Sequence, residues 1–495
     1  MAKAIMIQGT MSNAGKSLVS AALCRIFRQD GYRCAPFKAQ NMALNSFVTS
    51  DGLEMGRAQV MQAEAAGIEP SVLMNPVLLK PSSDTGSQVI VMGEVMGDMS
   101  AADYFRRKKE LVPVIMNAYN ELAADCDIVV IEGAGSPAEL NLAADDIVNM
   151  GMARRAKSPV LLVGDIDRGG IFAQLLGTLM LIEKEEQSMV RGLIVNKFRG
   201  DKEIFKSGTD ILEQRSGKPV AGVIPYIDCD IDDEDSLSER LVQNRKDCLI
   251  EIAVIRLPRI SNFTDFDVFS RFSGVSVRYI TKAGQLKCPD MIIIPGTKST
   301  VSDMKWLRES GIEAEIKSLA KSGIPVWGIC GGYQILGNYL SDINNCEGGD
   351  SVKGMGLLNS ETVFESQKIR TRTKGRFSAV GGIFSSLNGT EFYGYEIHNG
   401  RTIHSGADML TMENGSGDGA TFGNIYGCYV HGIFDNMEVA DKIIRSLCIE
   451  RGVDFTEITV RNVVDYKNMQ YDILADEVRK NIDMELIYRI IENGI

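Results

Sequence analysis

The sequence predicts an α/β chain of two domains, each built on a mostly parallel, doubly wound sheet. Three observations carry this expectation. Apolar runs alternate with helix-spaced apolar residues from the N-terminus to Pro219-Val220-Ala221-Gly222-Val223-Ile224-Pro225. An acidic stretch without strand character follows at residues 228–236, the kind of segment that joins domains. A second alternating series opens at Ile250-Glu251-Ile252-Ala253-Val254-Ile255 and continues through Met291-Ile292-Ile293-Ile294. The expected division is a first domain over residues 1–228, an acidic linker over 229–249 and a second domain over 250–445. A helical tail over 446–495, with apolar spacings of three and four, is expected to pack on the second domain.

The first strand, Lys3 to Gln8, leads into Gly9-Thr10-Met11-Ser12-Asn13-Ala14-Gly15-Lys16-Ser17 and then into the helical spacing Leu18, Val19, Ala22, Leu23, Ile26, Phe27. Strand, glycine loop, Gly-Lys-Ser and helix make a phosphate cradle. Backbone N–H groups wrap the anion, Lys16 reaches the outer phosphates, and the Ser17 hydroxyl suits magnesium. Thr10 stands where the strict pattern has glycine, so the match is to a variant. Thr10, Asn13, Ala14, Gly15, Lys16 and Ser17 are the expected ATP-binding residues.

The buried-type strand Asp127-Ile128-Val129-Val130-Ile131-Glu132 ends in Gly133-Ala134-Gly135. A carboxylate at the carboxyl end of a parallel strand is where a nucleotide-bound metal sits, so Glu132 joins Ser17 as an expected Mg2+ ligand. A solvent-facing strand-end acid is the plainer alternative. Asp51, Glu54 and Asp84 are candidates for a further ligand. The strands ending in Asp165-Ile166-Asp167-Arg168 and Asn196-Lys197-Phe198-Arg199 repeat the design. In related phosphate-loop folds such an asparagine contacts the base, which makes Asn196 the expected adenine-side residue; an ordinary strand-to-loop turn explains it nearly as well.

In the second domain, Val326-Trp327-Gly328-Ile329-Cys330-Gly331-Gly332-Tyr333-Gln334 breaks an apolar run at glycines around one thiol and resumes as a helix. A turn that tight holds Cys330 at the tip of an elbow, as a nucleophile is held. The alternative is a small buried core cysteine. Of three histidines, His398, His404 and His431, the last ends the apolar run Tyr426-Gly427-Cys428-Tyr429-Val430-His431 and is the best placed proton partner. The period-two basic stripe Lys368, Arg370, Arg372, Lys374, Arg376 reads first as a charged edge strand that discourages sheet pairing, and second as a docking surface.

Composition bounds the rest. The 495 residues are 44% hydrophobic and 24% charged, enough for full cores. The net charge of −12 offers no electrostatic basis for nucleic-acid binding. No apolar run approaches the roughly twenty residues that span a bilayer. Ten scattered cysteines without a CxxC pair suit a reducing cytoplasm rather than a disulfide framework. The sequence makes no assignment of oligomeric state.

A thiol with a histidine can release ammonia from a carboxamide, and an ATP site can phosphorylate a carboxylate; together they turn an acid into an amide. Here the chain resembles the cobyric acid synthases along essentially its whole length. The resemblance rests on the residue 8–17 loop, Phe37-Lys38-Ala39-Gln40-Asn41-Met42, Glu54-Met55-Gly56-Arg57-Ala58-Gln59, Met74-Asn75-Pro76, Asp165-Ile166-Asp167-Arg168-Gly169-Gly170, Asn196-Lys197-Phe198-Arg199-Gly200-Asp201, and the Cys330 and His431 segments. The first domain is similar to dethiobiotin-synthetase-type phosphate-loop folds, the second to class I glutamine amidotransferases.

The resemblance implies ATP, Mg2+ and L-glutamine as nitrogen donor. It also implies a corrinoid polycarboxylate as substrate, adenosylcobyrinic acid a,c-diamide, amidated at its b, d, e and g carboxylates. Carried over by position, Cys330 is the nucleophile, His431 its base, and the backbone N–H groups of Gly331 and the Gly296 turn form the oxyanion hole. Many class I amidotransferases follow the histidine with Pro and Glu. This chain reads His431-Gly432-Ile433, which implies a Cys-His dyad and leaves Glu396 and His398 as neighbours of interest. A polyanionic substrate calls for local positive charge, with Lys38, Arg57, Lys80, Arg168, Lys197 and Arg199 as candidates. The alternatives are a cobyrinic acid a,c-diamide synthase, a dethiobiotin-synthetase-like ligase with an inert second domain, and a partitioning-type switch ATPase.

Overall fold

A computed structural model describes residues 2–82, 85–231, 248–347, 349–458 and 463–495. Most of the expected acidic linker therefore lies outside the described residues. The chain divides into two compact units, and the division is not a simple cut. The first takes the chain up to Ala43, resumes at Met55, and recovers the C-terminal segment from Val464 to Ile495; the second takes Leu44–Glu54 and the chain between the linker and the tail.

The first unit is organised by a parallel sheet of β1 (Lys3–Gly9), β2 (Cys34–Phe37), β3 (Ile128–Glu132), β4 (Val160–Asp165), β5 (Val190–Phe198) and β6 (Val220–Pro225). Their order is β6-β5-β4-β1-β3-β2. β1 to β4 are buried along almost their whole length, as continuous apolar strands of a parallel sheet covered on both faces must be. The order reverses beside β1. The loops leaving β1, β3 and β4 therefore open at one carboxyl-end crevice, the place where α/β sheets bind ligands. Helix α1 (Lys16–Gln29) starts at the end of the β1 loop and buries Val19, Leu23, Ile26 and Phe27 against this sheet.

The tail overturns the expectation that it packs on the second domain. Helices Val463–Asn481 and Met484–Asn493 pack into the first unit, where Tyr471, Leu474, Val478, Ile487 and Ile490 share a core with Ile5, Leu23 and Phe27. Ion pairs Arg25–Asp472 at 2.7 Å and Arg479–Asp30 at 2.8 Å flank that core, and Asp483 N–H donates to Ala221 O at 2.7 Å. The amphipathic spacing specified that a face is buried; the complementary apolar surface happens to be on β1, α1 and β6. Leu474 is 1% exposed, so Leu474→Ala should cost about 2–5 kcal/mol of first-unit stability, read as a lower denaturant midpoint at unchanged slope. A tail that merely leaned on this unit would lose less than half of that.

The second unit repeats the parallel plan. Its main sheet contains β7 (Ile250–Ile255), β8 (Val275–Ile280), β9 (Met291–Ile294), β10 (Val326–Ile329), β13 (Ala420–Phe422) and β14 (Ile425–Cys428), ordered β8-β7-β9-β10-β14-β13 with only the last pair antiparallel. Trp327 on β10 is fully buried against Phe384, Tyr426 and Phe434. Beside this sheet lies a long antiparallel ribbon of β11 (Ser360–Phe377) and β12 (Glu391–His404).

The ribbon refines the first reading of the basic stripe. β11 pairs with β12 over residues 360–364 and 369–376 on one side, and at its two ends with Tyr339–Ser341 and Leu410–Met412 on the other. Between those ends, over residues 364–373, that side has no strand partner among the described residues, but the stripe does not simply charge an open edge. Its cations instead hold the segment Leu44–Glu54: Lys368 pairs with Glu54 at 2.7 Å, Arg370 Nε donates to Gly52 O at 2.6 Å, and Arg372 Nε donates to Val48 O at 3.0 Å. Among the described residues no helix is long and apolar enough to cross a membrane.

Candidate active sites

β10 delivers Cys330 into a backbone conformation of φ 52°, ψ −109°, a region that an L-residue occupies only under constraint. The glycines around it permit close contact. A Cβ at Gly332 would lie 1.9 Å from Ile294 O, and one at Gly331 would lie 3.0 Å from the Thr297 nitrogen. The elbow therefore presses against the Pro295-Gly296-Thr297 turn that leaves β9. This packs Gly331 against the turn that carries Gly296, the other expected oxyanion donor.

β14 runs on through Tyr429 to His431, which is 1% exposed and lies within electrostatic reach of Cys330, whose thiol donates to Ile397 O at 3.7 Å. A Cβ at Gly296 would sit 2.9 Å from His431 Cε1, so the imidazole occupies the space that a side chain there would fill. The other ring nitrogen, Nδ1, lies 2.6 Å from Asp265 Oδ2, and Asp265 Oδ1 accepts from Gly432 N–H at 3.3 Å. A third group therefore follows the histidine in space although none follows it in sequence. Asp265 comes from the short helix Phe263–Arg271 after β7. The dyad expected from His431-Gly432-Ile433 is structurally a Cys-His-Asp line.

Glu396 and His398 do not serve His431. His398 Nδ1 lies 2.7 Å from Gly400 O, its Nε2 lies 3.2 Å from Glu396, and its ring stacks on Tyr429 at 3.6 Å. These contacts account for its burial. His404 pairs with Asp408 at 3.0 Å.

Burial alone would depress the His431 pKa, but the Asp265 carboxylate and Cys330 outweigh it and push the value up to about 10 from 6.5. The imidazole is therefore held protonated at neutral pH. Because the folded value is raised, its contribution to stability is complete below 6.5 and is lost as pH climbs through about 10.

In the first unit, the phosphate loop curls through left-handed conformations at Asn13 (φ 59°) and Gly15 (φ 97°). Lys16 arches over the loop: a Cβ at Gly9 would touch its stem at 3.1 Å, and its Nζ donates to Met11 O at 3.0 Å and Gly135 O at 3.1 Å. Glu132 ends β3 fully buried. Ser17 Oγ donates to it at 2.9 Å, Lys38 Nζ pairs with it at 2.8 Å, and Gln62 on α2 (Arg57–Ala66) donates to its other oxygen. The solvent-facing alternative for Glu132 is thereby excluded.

Thr10 Oγ1 donates to Gln174 at 3.1 Å. Asn196 Nδ2 donates to Ala14 O at 2.9 Å, and Lys197 Nζ bridges Asn13 O and Asp165 at 2.7 and 2.8 Å. Asn196 is thus seated behind the loop as an anchor, and a Cβ at Gly15 would strike its amide at 2.0 Å. Lys38, Lys197 and Arg199 pair with Glu132, Asp165 and Asp167, so these cations ring the crevice within carboxylate networks.

Of the candidates for a further metal ligand, Glu54 pairs with Lys368 and Asp51 accepts from Thr49, both within the segment that belongs to the second unit. Asp84 lies outside the described residues. Ser17 and Glu132 present two hard oxygen donors 2.9 Å apart, which fits Mg2+. Among the described residues no cluster of three or more His, Cys, Asp or Glu could hold a metal by itself, so a nucleotide's phosphates would complete the set.

Residues 251–439 match the CobB/CobQ-like glutamine amidotransferase domain, and residues 5–239 match the CobQ/CobB/MinD/ParA nucleotide binding domain. The whole chain is 56% identical to a cobyric acid synthase of Ruminiclostridium cellulolyticum, covering 98% of that protein. It is 54% identical to one of Lachnoclostridium phytofermentans, with both chains fully covered. The chain belongs to the cobyric acid synthase family. A further relative within it, from Alkaliphilus metalliredigens, is 51% identical over 98% of this chain and 99% of its own. As a member of the cobyric acid synthase family the chain is an ATP-dependent glutamine amidotransferase, which leaves no place for an inert second domain or a partitioning-type switch.

Asp265 is the site residue that sequence reasoning missed. Its signal was topological, an acid in the loop leaving a central parallel strand, where α/β sites collect their groups. Asp265→Asn should lower glutamine-supported turnover by about 10²–10⁴-fold, by analogy with removing a triad carboxylate. With the carboxylate's charge gone the His431 pKa falls, so the alkaline limb of the glutaminase pH profile should move to lower pH. Ammonia-supported synthesis should be unchanged, and an unmoved limb would refute the positioning role.

Proposed function

We propose that the enzyme amidates peripheral carboxylates of a corrinoid polycarboxylate, the b, d, e and g groups of adenosylcobyrinic acid a,c-diamide, using glutamine and ATP. The observation that carries this reading is that one chain holds a Cys330-His431-Asp265 line in one unit and a Lys16-Ser17-Glu132 phosphate site in the other. Neither is useful alone, because ammonia needs an activated acceptor and an activated carboxylate needs a nitrogen nucleophile.

In the glutaminase half-reaction, the Cys330 sulfur attacks the glutamine carboxamide carbon. Negative charge develops on its oxygen, facing the Gly331 N–H and the Gly296 turn. The protonated His431 donates to the departing nitrogen, which leaves as ammonia, and a thioester remains. His431, now neutral, takes a proton from water as the water attacks the thioester; the sulfur leaves as thiolate, glutamate is released with the acid proton passing to solvent, and His431 is again protonated. Asp265 holds the ring through Nδ1 so that the other nitrogen faces the reacting atoms throughout.

In the synthetase half-reaction, a substrate carboxylate oxygen attacks the γ-phosphorus of ATP, giving an acyl phosphate and ADP. Ammonia then attacks the acyl carbon and inorganic phosphate departs. Lys16 and the loop amides would receive the charge on the phosphoryl oxygens. Ser17 and Glu132 would hold Mg2+, whose chemistry there would be neutralisation of phosphate charge.

Incubating the full chain with ATP, glutamine and a corrinoid acid whose carboxylates carry heavy oxygen tests this. One ADP and one labelled phosphate should form per amide. Label in AMP would replace the acyl phosphate with an acyl adenylate, and amidation confined to the a and c positions would favour the diamide-synthase alternative.

A further inference from the structure

The segment Leu44–Glu54 interrupts the first unit's chain, yet it is built into the second. Five of its eleven residues are buried there, while Ser50 and Asp51 at its turn are exposed. Asn45, Ser46 and Thr49 are 1% exposed, and Val48 and Glu54 are fully buried. The basic stripe of β11 ties down its far end through Lys368, Arg370 and Arg372, as described above. Its near end reaches the glutaminase residues by two routes.

The first route leads to the face of the imidazole. Tyr395 on β12 exchanges backbone hydrogen bonds with His431, donating at 3.1 Å and accepting at 2.8 Å, and its ring stacks on the His431 ring at 5.4 Å and 20°. The opposite end of Tyr395 belongs to the segment. Phe47 packs edge-on against the ring at 5.8 Å, Tyr395 OH donates to Ser46 O at 3.3 Å, and Arg372 lies over Phe47 at 5.1 Å. Val48, Phe47, Tyr395 and Ile397 form an apolar cluster of their own, separate from the main core.

The second route leads to Nδ1. Asp265 rides on a helix whose first N–H groups need acceptors. Asn45 Oδ1 accepts from Phe263 N–H at 3.3 Å, and Asn262 O accepts from Asp265 N–H at 3.1 Å. Asn262 is itself in the left-handed region (φ 51°). Its side chain joins both routes, accepting from Ser46 N–H at 3.2 Å and donating to Tyr395 OH at 2.9 Å. The segment therefore fixes the ring face and the carboxylate that together define where the His431 proton points.

We propose that Tyr395 is a positioning residue for His431, and that Leu44–Glu54 is the strap that sets both Tyr395 and Asp265, so that the glutaminase centre is complete only with a peptide from the N-terminal half of the chain. This rests on the Cys330-His431 reading above. The strap acts on the imidazole through Tyr395 and Asp265. Its loss should thus lower the rate of ammonia release rather than the affinity for glutamine. A shift of about 1 Å in a catalytic group is enough to cost about 100-fold.

The test is Phe47→Ala in the full-length enzyme, with Phe47→Tyr as the conservative partner and Tyr395→Phe as a probe of the hydroxyl tie. Phe47→Ala should reduce glutamine-supported kcat by about 10- to 100-fold with KM for glutamine within about twofold, while ammonia-supported synthesis stays at the wild-type rate. Phe47→Tyr should restore turnover, and Tyr395→Phe, which keeps the stacked ring, should fall between. Equal losses with glutamine and ammonia would show a role in folding alone and overturn the proposal, as would an unchanged glutamine-supported kcat in Phe47→Ala. Failure of the underlying reading shows elsewhere, as glutamine-supported synthesis surviving in Cys330→Ala.

Discussion

Cys330→Ala should abolish glutamine-supported amide formation, by about 10⁴-fold or more, while leaving ammonia-supported synthesis close to the wild-type rate. The size of the effect follows from the chemistry, since without sulfur no thioester forms and water must attack a carboxamide directly. The selectivity follows from placement. Cys330 sits at an elbow made of β10, the Gly331-Gly332 turn and the β9 loop, all within the second unit, and none of these residues contributes to the phosphate site. Alanine is smaller than cysteine and keeps the backbone, so the elbow should persist. The measurement is amide yield with each nitrogen source at saturating ATP. Loss with both sources would make the thiol structural, and retention with both would place ammonia release at some other group.

Lys16→Ala should have the complementary outcome: synthesis lost with either nitrogen source by about 10²–10³-fold, with glutaminase chemistry at Cys330 retained. Lys16 is 7% exposed, and its ammonium is held by Met11 O and Gly135 O at the mouth of the loop, poised where phosphoryl charge would gather. Removing it takes away charge neutralisation in the transition state as well as nucleotide affinity, so raising ATP should not restore the rate. A variant rescued fully by higher ATP would show that Lys16 binds without assisting transfer. Full activity at ordinary ATP would discard the phosphate-loop assignment.

What was legible in the sequence was whatever is local. The phosphate loop and the cysteine elbow are contiguous stretches in which glycine positions and flanking apolar runs state the geometry directly. Glu132 and His431 were legible as strand ends, because a buried parallel strand has a defined carboxyl terminus. Three features were not legible, and each depends on a contact between residues far apart in the chain. Asp265 carries no motif, and only the fold brings its carboxylate to His431. The tail's apolar spacing predicted burial but could not say against which core. The basic stripe on β11 looked like protection of a sheet edge because its partners, Glu54 and the Val48 and Gly52 carbonyls, lie some three hundred positions upstream. Asn196 was expected on the adenine side; its amide nitrogen is engaged with Ala14 O behind the loop, a contact the sequence did not signal.

The two borrowed pieces, Leu44–Glu54 in the second unit and the C-terminal helices in the first, make the halves reciprocal debtors. A gene split at the acidic stretch would strand both loans. The N-terminal product would lack the helices that cover Ile5 and Phe27, and the C-terminal product would carry those helices as an uncovered greasy appendage while missing its buried Val48. Separately expressed halves should therefore be insoluble or unproductive where the covalent chain is not. Any fission or fusion in the history of such a protein would have had to move two short peptides along with the obvious domains.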